Sequence, residues 1–170
     1  PNRILGPFIK RLTGIAQQDV DTAPSFSRVA GELAAFLGDA PIVGHNVAFD
    51  LGFLTAKGLR LPNPRTDTWD LAYVMLPNCP DYTLSGLSTQ FGAIHDRPHR
   101  ALDDAIATMG VFLRLVGMAS DLDVYTLAEM DRLATRSGWI LSYLLRRLEA
   151  YKIAASGSTA QSSPGGHGMT

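Results

Sequence analysis

One group of residues able to do chemistry lies at positions 44–50, Gly-His-Asn-Val-Ala-Phe-Asp, directly after a short apolar run. On a helix that begins at residue 47, Asp50 falls between two apolar stripes, so we expect its carboxylate to face packed protein. No basic residue stands three or four positions away to pair with it. Burying such a carboxylate is costly unless a cation or hydrogen-bond donors compensate. Asp50 is therefore either a structural residue with a distant partner or a ligand for a cation.

A second group occupies positions 99–105, His-Arg-Ala-Leu-Asp-Asp-Ala. On a helix, Asp104 shares a line with positions 101, 108, 111 and 115, which predicts an inward carboxylate. Asp103 shares its face with positions 107, 110 and 114, which predicts a solvent-exposed side chain that reaches Arg114. His99 stands at or just before the helix start, where its ring can reach the same cavity as Asp104. Taken alone, His99 fits better as a surface residue at a helix N-terminus.

Two inward carboxylates on different helices, with a histidine beside one of them, are typical of a divalent-metal phosphoesterase site. Carboxylate oxygens suit Mg²⁺ or Mn²⁺, and two such ions about 3.5–4 Å apart can hold the attacking and leaving oxygens of a phosphoryl displacement. A histidine of near-neutral pKa can take the proton of the attacking water. Two carboxylates are too few for two ions, so further acids have to come from elsewhere.

The elements that position these residues are mostly helices. Pattern and capping predict a loop with one short helical turn over residues 1–24, and a helix opened by Thr83 or Ser85 that ends near residue 91. Short strands are expected at 40–44 and 65–67. The other helices are expected over residues 26–37, 47–57, 68–76, 100–118, 125–136 and 139–154. Residues 156–170 are rich in serine and glycine and predict a flexible linker.

Composition limits the classes of protein. The chain has 170 residues, with 15 Lys and Arg against 16 Asp and Glu, a formal net charge of −1. This balance excludes a uniformly basic nucleic-acid binder but not an enzyme that meets nucleic acid at one metal-filled site. Hydrophobic residues make up 46%, enough for a sizeable core. A single cysteine, Cys79, with neither signal peptide nor membrane span, predicts a cytoplasmic protein.

The two groups resemble motifs of the DnaQ-like 3′–5′ exonucleases, the DEDDh group of the RNase H-like fold. Residues 43–50 are similar to the second exonuclease motif, and residues 99–105 to the third, in which a histidine precedes the metal aspartate by five positions. Asp67-Thr68 is similar to the family's Asp-Thr segment between them. The resemblance covers roughly residues 3–117. It implies an α/β RNase H-like domain, truncated here to a mostly helical chain with one or two short strands.

The resemblance also implies roles for residues. Asp50 and Asp104 become metal-associated catalytic carboxylates in a two-metal site, and His99 becomes the general base. His45 and Asn46 shape the substrate site, and Arg97 and Arg100 are candidate phosphate contacts. The family's first motif, Asp-x-Glu on a strand, does not occur before Asp50. We therefore expect that the chain begins after that motif, that two of four metal-site carboxylates are missing, and that this segment alone is inactive.

Residues 121–150 are similar to the segment that follows the exonuclease domain in DinG-type exonuclease–helicase fusions, and they equally fit a generic helical hairpin. The expected organisation is an incomplete exonuclease domain at 1–118, a helical extension at 119–155 and a linker at 156–170 toward a helicase. The implied substrate is a single-stranded or frayed DNA 3′ end in repair or replication, with RNA as a second candidate. The alternatives are a non-catalytic RNase H-like module and a polymerase proofreading subunit.

Overall fold

The computed structural model describes residues 3–93, 95 and 98–160, with side chains as far as residue 156. The chain divides into two compact units, Pro1–Leu115 and Val116–Thr170. Within the described residues, the first unit contains a small parallel sheet, six complete helices and the larger part of a seventh, long helix. The second unit contains a pair of helices.

From residue 26 onward, the first unit follows the predicted order of elements. Its bounds are α1 Pro7–Thr13, α2 Gln17–Thr22, α3 Phe26–Leu37, β1 Ile42–Gly44, α4 Val47–Ala56, β2 Arg65–Asp67, α5 Thr68–Met75, α6 Leu84–Phe91 and α7 Ala101–Asp121. The strands pair in parallel, with Ile42 opposite Arg65 and Gly44 opposite Asp67. The most deeply buried side chains of this unit include Val47, Leu71, Leu87, Ala107, Val111 and Leu115.

The prediction for residues 1–24 was wrong, because this segment forms two helices and not a loop with one turn. Pro7 occupies the first turn of α1, and Gly14 ends that helix in the left-handed conformation with φ 64°, a pairing that favours a short helix despite the two helix-breaking residue types. The Asp19 carboxylate accepts the N–H of Ala16 over 2.8 Å and caps α2.

The second unit consists mainly of α8 Val124–Ser137 and α9 Ser142–Ala160. Asp123 caps α8 by accepting the N–H of Thr126, and Gly138 ends it with φ 69°. Leu127, Leu141 and Leu145 are buried in this unit. Helix α9 continues past residue 156, where the sequence predicted a linker, and the rest of that linker lies outside the described residues.

Over the described ranges, no single helix is long and apolar enough to cross a membrane. The bent pair α7 and α8 meets the length and composition test only when both helices are taken together.

Candidate functional site

One cavity in the first unit brings together four of the residues that the sequence indicated. It has a volume of about 620 Å³ and lies among the end of β1, the first turn of α4, the start of α6 and the N-terminal part of α7. Its wall includes His45, Asp50, His99 and Asp104, together with Ser85 and His95. The two motifs, far apart in sequence, therefore face one space.

The wall at the end of β1 is built by a tight strand-to-helix connection. Gly44 ends the strand, and a Cβ at this position would lie 2.7 Å from Cγ2 of Val47, so only glycine fits. Asn46 follows in the left-handed region with φ 59°, a conformation that asparagine adopts more readily than most residues. The connection places His45 at the cavity while α4 turns away from the strand.

Asp67 holds this connection in place. Its carboxylate accepts the backbone N–H groups of Asn46 over 2.9 Å, Val47 over 2.8 Å and Trp69 over 2.9 Å. Asp67 is 6% exposed. One buried carboxylate thus caps the N-termini of both α4 and α5, where the exposed ends of helix dipoles favour negative charge.

His45 is half-buried and hydrogen-bonded through Thr68. The Thr68 hydroxyl donates to the carbonyl oxygen of Gly44 over 3.3 Å. Because its proton is used there, Oγ1 of Thr68 accepts the hydrogen bond from Nδ1 of His45 over 2.9 Å. Burial lowers the pKa of His45 below its ordinary value, and this effect outweighs the opposing influence of the Asp67 charge and of a hydrogen bond to the Tyr82 backbone. A neutral imidazole at the cavity wall is the consequence.

Asp50 lines the cavity from the first turn of α4, but its side chain is exposed. The prediction that it faces packed protein was wrong. The apolar stripe of Phe49 and Phe53 is open, since these side chains are 77% and 55% exposed, whereas Val47 on the other stripe is buried. In this chain the carboxylate of Asp50 has access to solvent and to the cavity together.

Asp104 lies in the first turn of α7, and its side chain is 34% exposed. Its Oδ1 accepts two hydrogen bonds, from Nε2 of His95 over 2.8 Å and from the backbone N–H of His99 over 3.2 Å. His99 has φ 68°, one of the two non-glycine residues with positive φ in the described chain. That backbone turns the N–H of His99 toward the carboxylate while the exposed His99 side chain lines the cavity.

Asp103 is not the exposed residue that helical periodicity predicted. It is half-buried, and its Oδ2 is buried. The reason is that Ala107, one turn further along the same face, is fully buried and Gly110 packs against Ala93. On the helix face that Asp104 shares, the later positions are buried as expected, namely Thr108, Val111 and Leu115.

Sequence reasoning missed His95, which the structure places between Ser85 and Asp104. Its side chain is 7% exposed, and its Nδ1 lies 3.3 Å from Ser85 Oγ. The signal was a second histidine four positions before His99, in the connection between α6 and α7. A lone histidine in a loop gives no reason to expect burial, so only the fold identifies this contact.

Two other predicted substrate-binding residues stand elsewhere. Asn46 is exposed at the start of α4, and its backbone N–H is bound to Asp67. The guanidinium of Arg100 lies beside Gly14, at the end of α1. Neither residue lines the cavity, and Arg97 lies outside the described residues. Their contacts with substrate stay predictions.

The cavity supplies part of a cation site. Two acidic side chains, Asp50 and Asp104, reach it, and carboxylate oxygens are the donors that Mg²⁺ and Mn²⁺ prefer. Among the described residues, Oδ2 of Asp104 takes part in no hydrogen bond, which leaves that oxygen for a cation. The described part of the chain contains no group of three or more His, Cys, Asp or Glu side chains arranged to hold a metal. The donor chemistry fits these ions, but two carboxylates are too few for a site that holds two of them.

Comparison with known proteins finds similarity to exonucleases and to DNA polymerases III. A family model described as an exonuclease matches residues 1–112. The 3′-5′ exonuclease DinG of Bacillus subtilis is 37% identical over 150 residues, 85% of this chain and 16% of the relative. A PolC-type DNA polymerase III of Thermotoga maritima is 36% identical over 138 residues, 78% of this chain and 10% of the relative.

A further relative has a compound name. A Mycobacterium tuberculosis protein named as a bifunctional exonuclease/endonuclease is 36% identical over 137 residues, which are 76% of this chain and 21% of the relative. The chain thus spans about a fifth, or less, of the length of these relatives.

Proposed function

Because this chain belongs to the DnaQ-like exonuclease family, with the RNase H-like fold of that family, we propose that it provides metal-dependent 3′–5′ cleavage of DNA. The proposed reaction is hydrolysis of phosphodiester bonds at a single-stranded or frayed 3′ end, within a larger repair or replication protein. The observation that carries the proposal is that Asp50, His99 and Asp104 line one cavity.

Asp50 and Asp104 are the residues that would hold Mg²⁺ or Mn²⁺. Bound there, such an ion supplies electrostatic stabilisation of the charge that develops on the phosphate in the transition state. Both side chains are accessible from the cavity, and Asp104 keeps Oδ2 outside its hydrogen bonds among the described residues. The remaining ligands of a two-metal site have to come from acids of an Asp-x-Glu type that residues 1–49 do not contain.

His99 is the proposed general base. Its side chain is exposed to the cavity, so one of its ring nitrogens can take a proton from a water molecule that attacks the phosphate. Its backbone N–H is bound to Asp104, which keeps the imidazole next to the proposed metal carboxylate. Burial lowers the pKa of His45, which favours the neutral imidazole at the cavity wall.

The organisation of the chain supports a link to a helicase. We propose an exonuclease part at residues 1–118, a helical extension at 119–155 and a linker from residue 156 onward. The match to the relative named DinG covers 85% of this chain, beyond the residues matched by the family model. This extent supports similarity that continues into the helical extension.

Proofreading within a polymerase is the second candidate function. Several relatives carry the name DNA polymerase III PolC-type, with identities of 29–36%. In that case the helical extension contacts a polymerase and no helicase follows the linker. The reading frame on both sides of this segment decides between the two arrangements.

The decisive experiment uses the full-length protein that contains this chain. A 5′-labelled oligodeoxynucleotide is incubated with Mn²⁺, with its 3′ end either free or blocked, and an oligoribonucleotide of the same sequence is run in parallel. We expect stepwise shortening of the free DNA end, nearly abolished by Asp50→Asn or Asp104→Asn. Asp103→Asn is the matched control, because it makes the same change one residue away in a side chain that does not line the cavity.

Two outcomes contradict the proposal. Equal shortening by wild type and Asp104→Asn would exclude a catalytic role for this cavity, and no shortening by the wild type, with DNA still bound, would favour a non-catalytic module. Residues 1–170 alone should not cleave DNA, because their two cavity carboxylates are too few for two ions. Clear activity of residues 1–170 that Asp104→Asn abolishes would overturn this last expectation.

A further inference from the structure

The connection between α6 and α7 carries a histidine that neither family motif includes. His95 stands four positions before His99, and its side chain is 7% exposed. Its Nε2 lies 2.8 Å from Oδ1 of Asp104, and its Nδ1 lies 3.3 Å from the hydroxyl of Ser85. A nearly buried imidazole with both ring nitrogens engaged has one orientation available to it.

The hydrogen-bond directions follow from the chemistry of the partners. An ionised carboxylate only accepts hydrogen bonds, so Nε2 of His95 carries the proton in its contact with Asp104. In the neutral imidazole Nδ1 is then an acceptor, and the Ser85 hydroxyl donates to it. Ser85 lies in α6 and Asp104 in α7, so this chain of hydrogen bonds connects two helices through the histidine.

The two oxygens of Asp104 have different surroundings. Oδ1 accepts from both His95 and the backbone of His99, whereas Oδ2 takes part in no hydrogen bond among the described residues. Two donors on one oxygen fix the rotation of the carboxylate. The other oxygen, Oδ2, is then held in a constant position within a side chain that lines the cavity.

We propose that His95 is a positioning residue, which orients Asp104 so that one carboxylate oxygen stays available to a divalent cation. This inference rests on the proposed function of the cavity. Partners that hydrogen-bond a metal-ligating carboxylate set its orientation, and their loss commonly weakens metal binding by about 10- to 100-fold. His95 acts through Asp104 and needs no contact with the substrate.

Two substitutions separate positioning from packing. In His95→Gln, the side-chain amide nitrogen lies near the former position of Nε2, so the donor to Asp104 is kept. In His95→Asn, the amide reaches only the former position of Nδ1, so the contact with Ser85 is kept and the donor to Asp104 is lost. Both variants remove the imidazole, and a role in packing alone would be impaired by either one.

The test measures Mn²⁺ binding by calorimetry in the full-length protein, together with kcat and KM on a 5′-labelled oligodeoxynucleotide. For His95→Asn we expect the Kd for Mn²⁺ to rise by about tenfold or more, with a lower kcat and little change in KM. For His95→Gln we expect a Kd within about threefold of the wild type. A melting curve for each variant reports whether the fold is intact.

The possible failures are distinguishable. A wild type that binds Mn²⁺ and cleaves DNA, with His95→Asn equal to it in Kd and kcat, would overturn the positioning role alone. Equal impairment of both variants, with equally lowered melting temperatures, would also overturn it by assigning His95 to packing. A wild type that neither binds Mn²⁺ nor cleaves DNA would overturn the proposed function and this inference with it.

Discussion

Asp67 Oδ2 accepts the backbone N–H of Val47 over 2.8 Å, although the two residues are 20 positions apart in the chain. The contact joins the end of β2 to the start of α4, and the same carboxylate also caps α5 through Trp69. The second motif therefore depends for its conformation on a residue outside it. The Asp-Thr segment between the motifs is explained by this contact and by the Thr68–His45 hydrogen bond.

Replacing Asp67 by alanine should destabilise the first unit. Three backbone N–H groups lose their acceptor, and all three of these hydrogen bonds are buried or partly buried. Loss of a buried acceptor and of helix caps predicts a decrease of about 2–4 kcal/mol in the free energy of unfolding. Urea unfolding followed by circular dichroism measures it. Asp123→Ala is the matched control, since Asp123 caps one helix in an exposed setting, and its effect should be smaller.

His45 should make stability depend on pH. Burial lowers its pKa in the folded chain below the ordinary value of 6.5, so the unfolded chain binds the proton more readily. The contribution of this group is fully present above the unfolded pKa and is lost as the pH falls through the folded one. His45→Asn keeps a donor for Thr68 without titrating. The unfolding free energy of this variant should therefore fall less than that of the wild type between about pH 7 and about pH 5. An equal dependence of the unfolding free energy on pH in the two proteins would contradict this prediction.

His99→Ala in the full-length protein should separate proton transfer from metal binding. We expect kcat to fall by about 10²- to 10⁴-fold, the range for loss of a general base, while the Kd for Mn²⁺ changes little. In contrast, Asp104→Asn should strongly raise the Kd for Mn²⁺, because it removes a proposed metal ligand. Calorimetric titration of both variants provides the comparison. Weakened Mn²⁺ binding in His99→Ala would assign the histidine to the metal and not to the proton.

The positions of the secondary elements could be read from local signals. Helix α3 spans the predicted residues 26–37, and β2 begins and ends at the predicted residues 65 and 67. Capping and breaking residues act over a few positions, so a single sequence contains what is needed. The RNase H-like fold, left mostly helical with one or two short strands, is confirmed as the family resemblance implied, and the structure adds that the two strands pair in parallel.

Burial and side-chain partners could not be read in the same way. Helical periodicity predicted a buried Asp50 and an exposed Asp103, and both predictions were wrong. The reason is that the elements that cover a helix face are remote in sequence. The contact of His95 with Asp104 depends on the path of the α6–α7 connection, for which no periodic signal exists. Periodicity identifies a face, and only the tertiary arrangement decides whether that face is covered.

An exposed apolar stripe on α7 should cause self-association of residues 1–170. Its four members recur at helical spacing, and all of them are exposed: Leu102 by 72%, Ile106 by 42%, Met109 by 56% and Leu113 by 61%. Contiguous apolar surface of this kind is uncommon on monomers, because its burial is favourable.

Sedimentation velocity at increasing concentration should show larger species, and Leu102→Gln with Leu113→Gln should shift them toward monomer. Leu133→Gln is the control, since Leu133 is 50% exposed on α8, outside the stripe. The prediction would be contradicted if the chain stayed monomeric at every concentration and melted in one sharp transition, because the exposed stripe would then be stable in water.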